Sequence, residues 1–258
     1  MIQVKNLVKQ YKLSKQQKKE LQTQANTVNA VNNISFECKP GRVFSLLGPN
    51  GAGKTTSLRM ISTILKPTSG EILVDDYSVN DKPAAVRASI GFLTGSTNLY
   101  DRLTPGEVVS YFADLYGMER DASDKRKKVL FDQLGIYEFS QKRISQLSTG
   151  MKQKVSIARA MIHDPAVVVF DEPTSGLDVI TADNIIKLIR QCKEEGKTVI
   201  FSSHIMSEVD LLCDDLAIIH KGNLLFNDSM ENFRNQIGDK SLTEAFIDIV
   251  QDNIHLTA

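Results

Sequence analysis

A glycine-rich loop joins an apolar run to a segment with helical periodicity in the first quarter of the chain. The apolar run, residues 43–47, predicts a buried strand, and the periodicity from Ser57 to Leu65 predicts a helix that Pro67 stops. The loop fits the pattern G-x-x-x-x-G-K-S/T and consists of Gly48, Pro49, Asn50, Gly51, Ala52, Gly53, Lys54, Thr55 and Thr56. Glycines let successive backbone N–H groups point inward, and the start of a helix favours anions. Together, the strand, loop and helix predict a site for the phosphates of a nucleotide.

Two side chains that follow the last glycine of this loop add specific chemistry. Lys54 can reach the β- and γ-phosphates of a nucleoside triphosphate, and the Thr55 hydroxyl can ligate Mg²⁺. A glycine-rich turn with a purely structural role is the simpler alternative. It would require neither the Lys-Thr pair nor the flanking strand and helix, so we expect a nucleoside triphosphate and Mg²⁺ as ligands.

The overall composition restricts the class of protein. The chain has 258 residues with 31 basic and 31 acidic side chains, so no net charge favours nucleic acid as a partner. No apolar run approaches the roughly 18 to 20 residues needed to cross a bilayer, and the polar start of the chain does not resemble a secretory leader. The three cysteines, Cys38, Cys192 and Cys213, are far apart and lack metal-ligand spacing, which predicts free thiols in a reducing compartment. We therefore expect a soluble, intracellular nucleotide-binding protein.

Strand-like and helical segments alternate around the phosphate loop, which predicts an α/β sheet core. After residue 95 the pattern becomes helical only. Thr104 and Glu107 form a capping box there with Pro105 at the first helical position, which predicts the start of a helix. We predict a nucleotide-binding core of residues 1–94 and 165–258, with an N-terminal β part and short C-terminal helices, and a helical subdomain of residues 95–164.

Residues 12–28 differ in character from their surroundings, because they are rich in lysine and glutamine and contain few apolar side chains. Such a segment is typical of a solvated excursion, either a mobile loop or an exposed hairpin or helix. Contact with acidic lipid or with a partner protein is the functional alternative.

Two adjacent carboxylates follow the apolar run 167–170. We expect Asp171 and Glu172 at the C-terminal end of a buried parallel strand, the edge of such a sheet where ligands bind. Asp171 can hold Mg²⁺ through water beside Thr55, and Glu172 can orient or deprotonate a water that attacks the γ-phosphate. A solvated acidic pair at a strand end is the simpler alternative, which the phosphate loop in the same chain disfavours.

Further motifs occur in a fixed order around these two sites. They are Tyr11 at the end of the first strand; Leu147, Ser148, Thr149, Gly150 and Met151 before the carboxylates; Ser175, Gly176, Leu177 and Asp178 after them; and His204 after the next strand. In this order and spacing the motifs resemble those of the ATP-binding subunits of ABC transporters over nearly the whole chain. The resemblance implies a P-loop NTPase fold of the ABC ATPase type, with a mixed α/β sheet core and an α-helical subdomain, and ATP and Mg²⁺ as ligands.

The resemblance also implies a role for each motif. Ser148 and the Gly150 backbone, in the signature motif, would bind the ATP held by a second copy. His204 would contact the γ-phosphate, Asp178 of the D-loop would couple the two sites, and Tyr11 would stack on adenine. The expected partner is thus a second copy, packed head-to-tail around two nucleotides. Taken singly, a helix cap, a surface histidine and strand-end packing of the tyrosine are the simpler interpretations.

Two places depart from the family pattern. Where the family has a glutamine that contacts Mg²⁺, this chain has Gly95, so metal coordination there must use water, Ser96 or Thr97. The signature has Thr149 and Met151 where the family has a glycine and a glutamine, but it keeps its serine and one glycine. Together with the run that extends to residue 104, these features resemble the sodium-efflux (NatA-type) subfamily of bacterial exporters.

The resemblance implies an ATPase that energises a separate transmembrane permease, with Na⁺ efflux as the expected activity. The chain would lie at the cytoplasmic face of the cell membrane, held there by its membrane subunit, which would contact residues 95–103. An exporter of drugs, lipids or glycans and a non-transport ABC ATPase are the alternatives. The second of these usually carries two nucleotide domains or a coiled-coil insert, and a small-molecule P-loop kinase would not need the signature.

Overall fold

The computed structural model describes residues 1–20, 23–94 and 99–255 of the chain. Within these ranges it contains ten strands, ten α-helices and two short 3-10 turns. The strands are β1 (Ile2–Lys12), β2 (Thr27–Cys38), β3 (Val43–Leu47), β4 (Ser69–Val74), β5 (Tyr77–Ser78), β6 (Ile90–Thr94), β7 (Val167–Asp171), β8 (Thr198–Ser203), β9 (Asp215–His220) and β10 (Asn223–Ser229). The helices are α1 (Lys15–Glu20), α2 (Lys54–Ile61), α3 (Pro83–Ser89), α4 (Pro105–Leu115), α5 (Arg120–Leu134), α6 (Thr149–Met161), α7 (Val179–Glu194), α8 (Met206–Leu212), α9 (Met230–Ile237) and α10 (Leu242–His255), and the 3-10 turns are Tyr137–Phe139 and Ile144–Gln146.

The larger of two sheets has the strand order β10-β9-β3-β8-β7-β6. Its strands pair in parallel except for β10, which is antiparallel to β9, so the predicted mixed sheet is confirmed. Every residue of β3, β7 and β8 is buried, as expected for central strands covered on both faces. Because β3 and β7 both pair with β8, the carboxyl ends of these three strands lie side by side at one edge of the sheet.

The smaller sheet is antiparallel, with the order β2-β1-β4-β5. β1 and β2 form a long hairpin whose register runs from Ile2 opposite Cys38 to Lys12 opposite Thr27. The lysine- and glutamine-rich segment forms the far end of this hairpin, where α1 follows β1 and precedes β2 along the chain. Of the structures left open for this segment, the described residues adopt the exposed hairpin with a short helix at its tip.

Two helices differ from the sequence prediction. α2 begins at Lys54 rather than at Ser57, because Gly53 caps it in a left-handed conformation, and it ends before Leu65 because Thr63 has a φ of 59°. The helix α3 was not predicted at all. Val86 is its only buried side chain, so its sequence carries no apolar periodicity by which to detect it.

The helical segment after residue 99 begins as its sequence predicts. The Thr104 hydroxyl accepts a hydrogen bond from the Glu107 N–H (3.3 Å), and the Glu107 carboxylate accepts one from the Thr104 N–H (2.7 Å). α4 starts at Pro105. These two reciprocal bonds satisfy N–H groups that have no partner within the helix, which confirms the predicted capping box.

Helices α4, α5 and α6 share a hydrophobic core with one face of the larger sheet. Val108, Phe131 and Val155 of these helices belong to the same buried cluster as Phe170 and Phe201 of the sheet. A second cluster, on the opposite face of the same strands, joins the larger sheet to the antiparallel one. The predicted boundaries of the helical subdomain stay a prediction, since residues 95–98 lie outside the described part of the chain.

His163 connects the end of this helical segment to the sheet. Its ring stacks on Tyr116 with 3.6 Å between centroids and 10° between planes, and its Nε2 lies 3.2 Å from the carbonyl oxygen of Ile90 in β6. Burial lowers the pKa of His163 to about 4. The ring is therefore neutral at pH 7, and Nε2 carries the proton that it donates to Ile90.

We predict that His163 makes the fold sensitive to acid. Its folded-state pKa of about 4 lies below the ordinary value of 6.5. The contribution of the neutral ring to the free energy of unfolding is therefore complete above pH 6.5 and is lost as the pH falls toward 4. Urea unfolding of the wild type and of His163→Phe, at pH values of about 7, 6 and 5, measures this contribution. The stability difference between the two proteins should change in favour of the phenylalanine variant as the pH falls. A pH-independent difference would contradict the assignment.

Candidate nucleotide-binding site

Only glycine fits at the two ends of the phosphate loop, because a neighbouring strand passes close to each end. A Cβ atom at Gly48 would lie 2.2 Å from the carbonyl oxygen of Ile219 in β9, and one at Gly53 would lie 2.4 Å from that of Ala30 in β2. Gly53 also has a φ of 111°, a conformation that side chains rarely allow. The loop between β3 and α2 is thus held between backbone segments from both sheets.

A cavity of about 390 Å³ opens at this loop. Its lining consists of Ala30, Asn50, Gly51, Ala52, Gly53, Lys54, Thr55, Thr56 and Glu172. The volume falls within the range of about 300–1,000 Å³ typical of small-molecule pockets. The phosphate loop and one of the two predicted carboxylates therefore face the same space.

The ammonium group of Lys54 is buried, with 4 % of the side chain exposed. Its Nζ donates hydrogen bonds to the carbonyl oxygens of Gly48 (2.7 Å) and Pro49 (3.2 Å) and lies 3.3 Å from Oε1 of Glu172. A cation removed from water requires such partners. Lys54 therefore connects the start of the phosphate loop to the end of β7.

Asp171 forms a hydroxyl-rich cluster with Thr55 and Ser202. Its Oδ1 accepts hydrogen bonds from both hydroxyl groups at 2.8 Å, and the same Ser202 hydroxyl accepts the N–H of Glu172 at 3.0 Å. Thr55 and Asp171 supply hard oxygen atoms in mutual contact, which fits Mg²⁺. No group of three or more His, Cys, Asp or Glu side chains suited to a metal occurs in the described residues. An ion here would thus take its other ligands from water and phosphate, as Mg²⁺ usually does.

Glu172 lies between Lys54 and His204. Its Oε1 is 3.3 Å from the Lys54 ammonium and 3.5 Å from Nδ1 of His204. The backbone of Glu172 has a φ of 48°, a left-handed conformation that costs a non-glycine residue on the order of 1–3 kcal/mol. The hydrogen bond from its N–H to Ser202 holds this turn. The two residues predicted to be catalytic therefore lie within reach of each other, and Glu172 is the one that lines the cavity.

Tyr11 lies on β1, opposite Val28 of β2, and is 39 % exposed. The Lys9 ammonium sits 5.3 Å from the centre of its ring. The described residues that line the cavity do not include Tyr11, although they include Ala30, two residues beyond its pairing partner. The ring is thus exposed on the hairpin with Lys9 over it, and its stacking on adenine stays a prediction.

The signature residues form the start of α6. The exposed Ser148 caps this helix by accepting the N–H of Met151 at 3.3 Å, so its simpler interpretation as a helix cap holds in the single chain. Leu147 is buried, Thr149 is exposed, and a Cβ at Gly150 would lie 2.9 Å from the Thr181 hydroxyl of α7. None of the described signature residues lines the cavity at the phosphate loop.

The D-loop forms the entry to α7. Asp178 accepts hydrogen bonds from the N–H (3.0 Å) and the hydroxyl (2.8 Å) of Thr181, and these bonds lower its pKa, with the backbone bond contributing most. Ser175 and Gly176 are exposed and Leu177 is half-buried. The next two side chains, Val179 and Ile180, are 86 % and 76 % exposed. The motif thus presents polar and apolar groups outward.

Comparison with known proteins identifies the family. Residues 31–175 match the family described as ABC transporter. The chain belongs to this family.

Curated relatives agree along most of the chain. It is 41 % identical over 230 residues to the ABC transporter ATP-binding protein NatA of Bacillus subtilis, an alignment that covers 89 % of this chain and 94 % of NatA. It is 33 % identical over 234 residues to the linearmycin resistance ATP-binding protein LnrL of the same organism, which covers 88 % and 75 %. Among solved structures, a dimeric ATP-binding cassette in a post-hydrolysis state, bound to ADP and Pi, superimposes with a TM-score of 0.78. That structure shares 28 % identity, and the match covers 89 % of this chain and 99 % of the cassette.

The fold and the family together establish the biochemical class. The predicted ABC ATPase fold is confirmed, and the chain is an ATP-binding subunit of an ABC transporter that hydrolyses ATP. None of the helices in the described ranges combines the length and the apolar character that a bilayer span requires.

Sequence reasoning missed two residues of the site. Ala30 enters the cavity lining because β2 passes over the loop, and Ser202 joins Asp171 to Glu172 because β8 pairs with β7. Ser202 is the next-to-last residue of an apolar strand, directly before Ser203, and this position was the only signal available for it. The predicted departure at Gly95, with Ser96 and Thr97 as its alternatives, lies outside the described residues.

We predict that Lys54→Ala weakens ATP binding by roughly 10- to 100-fold, because a charge-assisted hydrogen bond of about 1.5–3 kcal/mol is lost. Equilibrium binding of a fluorescent ATP analogue measures the effect. Lys187→Ala is the matched control, since Lys187 lies on the exposed face of α7 in an ion pair with Asp183. Unchanged affinity in Lys54→Ala would contradict the assignment of the phosphate loop.

Proposed function

We propose that this chain is the ATP-hydrolysing subunit of an exporter and that it drives Na⁺ efflux through a separate transmembrane permease. The observation that supports hydrolysis best is that Glu172, which lines the cavity at the phosphate loop, lies next to both Lys54 and His204. The choice of Na⁺ rests on the resemblance to the NatA-type subfamily and on the identity to NatA over nearly its whole length.

In this proposal the residues at the carboxyl edge of the sheet divide the chemistry among them. The loop N–H groups and Lys54 hold the β- and γ-phosphates, and Glu172 accepts a proton from the attacking water while His204 orients the γ-phosphate. Thr55 and Asp171 would hold Mg²⁺, which would neutralise charge on the phosphates. Ser202 holds Asp171 and Glu172 in a fixed position relative to each other, since it hydrogen-bonds to the Asp171 side chain and to the Glu172 backbone.

A second copy completes the site in this proposal. Ser148 and the Gly150 backbone would cap the ATP of the opposite subunit, with Asp178 at the interface. The exposure of Ser148, Val179 and Ile180 in the single chain supports this arrangement, because large apolar side chains at the surface favour association. The dimeric cassette with a similar fold supports it as well.

The permease would dock beside the helical segment, near residues 95–103, and would keep the chain at the cytoplasmic face of the membrane. Two aromatic side chains there support such a surface. Tyr100 and Tyr111 are 54 % and 44 % exposed and meet edge to face with 5.9 Å between ring centroids. Aromatic residues are enriched at protein interfaces.

The cargo can be tested directly. Vesicles that contain this chain and its co-purified permease, with the chain facing the outer solution, should accumulate ²²Na⁺ on addition of ATP, and should not do so when Lys54→Ala replaces the wild type. Transport of a drug in place of Na⁺ would favour the second candidate, a drug exporter, for which the similarity to LnrL is the supporting observation. ATP-driven transport of neither class would contradict both.

We predict that Glu172→Gln lowers the rate of ATP hydrolysis by about 10²- to 10⁴-fold, the contribution typical of a general base. ATP binding should persist, because the amide keeps the shape of the carboxylate. The variant should therefore accumulate as an ATP-bound dimer, which size-exclusion chromatography with ATP and Mg²⁺ detects. Glu194→Gln, an exposed carboxylate on α7, is the control. A variant that hydrolyses ATP at the wild-type rate would exclude Glu172 as the base.

A further inference from the structure

A third acidic residue, Glu208 of α8, lies behind the proposed catalytic groups and does not line the cavity. One of its carboxylate oxygens, Oε1, accepts a hydrogen bond from the Thr174 hydroxyl. The other, Oε2, accepts one from the Ser203 hydroxyl at 2.9 Å. The same Ser203 oxygen accepts the N–H of Ile205 at 2.9 Å. A single half-buried carboxylate therefore joins Thr174 to Ser203, which lie on chain segments far apart in sequence.

These two segments carry the proposed catalytic residues. Thr174 lies two residues after Glu172, at the start of the turn that leads into the D-loop. Ser203 is the last residue of β8 and directly precedes His204. Thr174 and Ser203 are themselves buried, with 7 % and 2 % exposure, so their hydroxyl groups need a partner within the protein. Glu208 supplies it for both.

The chemistry of the bridge requires an acceptor at both ends. Each hydroxyl group has one proton to donate, and an ionised carboxylate can receive one on each oxygen. An amide at position 208 keeps only one such acceptor, and alanine keeps none. A hydrogen bond to a charged acceptor is also about twice as strong as one between neutral groups.

We propose that Glu208 is a positioning residue for ATP hydrolysis, which sets the distance between the segment of Glu172 and that of His204. This inference rests on the roles proposed above for those two residues. Glu208 lies in α8, outside all of the motifs found in the sequence, so the proposal gives this helix a role in catalysis. Glu208 acts through Thr174 and Ser203 and does not itself contact the substrate.

The experiment compares Glu208→Ala and Glu208→Gln with the wild type in steady-state ATP hydrolysis. Glu208→Ala should lower kcat by about 10- to 100-fold, because a displacement of reacting groups by about 1 Å has effects of this size. The KM for ATP should change less than about twofold, since Lys54 and the loop keep their contacts. Glu208→Gln, which preserves shape and one acceptor, should recover part of the lost kcat.

A matched control lies on the same helix. Asp210→Ala removes an equal charge from α8, but the partner of Asp210 is Arg234 of α9, away from the cavity. This variant should retain the wild-type kcat. If Glu208→Ala and Asp210→Ala lower kcat and thermal stability alike, Glu208 has only a structural role and the inference is overturned.

A double-mutant cycle tests the bond itself. If the bridge through Thr174 carries the effect, Thr174→Val should lower kcat alone and add little to Glu208→Ala, and Thr174→Ser should restore activity. Fully additive effects would overturn the inference. This cycle also serves if Glu208→Ala fails to fold, because Thr174→Val with Glu208→Gln gives the same comparison.

The result separates this inference from the proposal on which it rests. Wild-type turnover in Glu172→Gln and in His204→Ala would remove the proposed catalytic roles. Loss of turnover in those two variants, together with wild-type turnover in Glu208→Ala, would leave those roles intact and reject only the role of Glu208.

Discussion

The burial of one positive charge determines how this site is built. Moving an ammonium group out of water costs several kcal/mol unless other groups compensate it. Here the carbonyl groups of Gly48 and Pro49 and the carboxylate of Glu172 surround the Lys54 ammonium. The carbonyls reach it only because the loop curls at its glycines, and the carboxylate reaches it only because Glu172 adopts a left-handed turn at the end of β7. Loop conformation, lysine burial and carboxylate placement are therefore mutually dependent.

The end of β8 supports this arrangement on two sides. Adjacent residues of a strand point to opposite faces, and the two serines that end β8 use this alternation. Ser202 contacts Asp171 and the backbone of Glu172 in the neighbouring strand, while Ser203 contacts Glu208 in the helix α8. One strand end thus binds both to the strand that bears the carboxylates and to the layer of helices behind it. The hydrogen bond from the Glu172 N–H to Ser202 holds the left-handed turn at Glu172, and Glu208 holds Thr174 two residues later.

The sequence predicts those parts of the site whose signals are local. The phosphate loop, the carboxylate pair and the capping box at Thr104 are each encoded within about ten consecutive residues, and all three lie in the predicted kind of element. The helix α3 was not predicted, because its single buried side chain gives no apolar periodicity in the sequence. Ala30, Ser202 and Glu208 were not predicted because their contacts join segments far apart in sequence, and these contacts exist only once the strands have paired. Single serine and alanine residues are also too common in strands to attract attention on their own.

The signature and the D-loop are coupled within one chain by direct contact. Gly150 packs so closely on the Thr181 hydroxyl that a Cβ would lie 2.9 Å from it, and this hydroxyl donates to the capping carboxylate of Asp178. A side chain at position 150 would collide with α7, so the starts of α6 and α7 pack directly against each other. Val179 and Ile180 extend the same face with exposed apolar surface. In an ATP-bound dimer of the kind proposed, a partner that met one motif would meet the other at once.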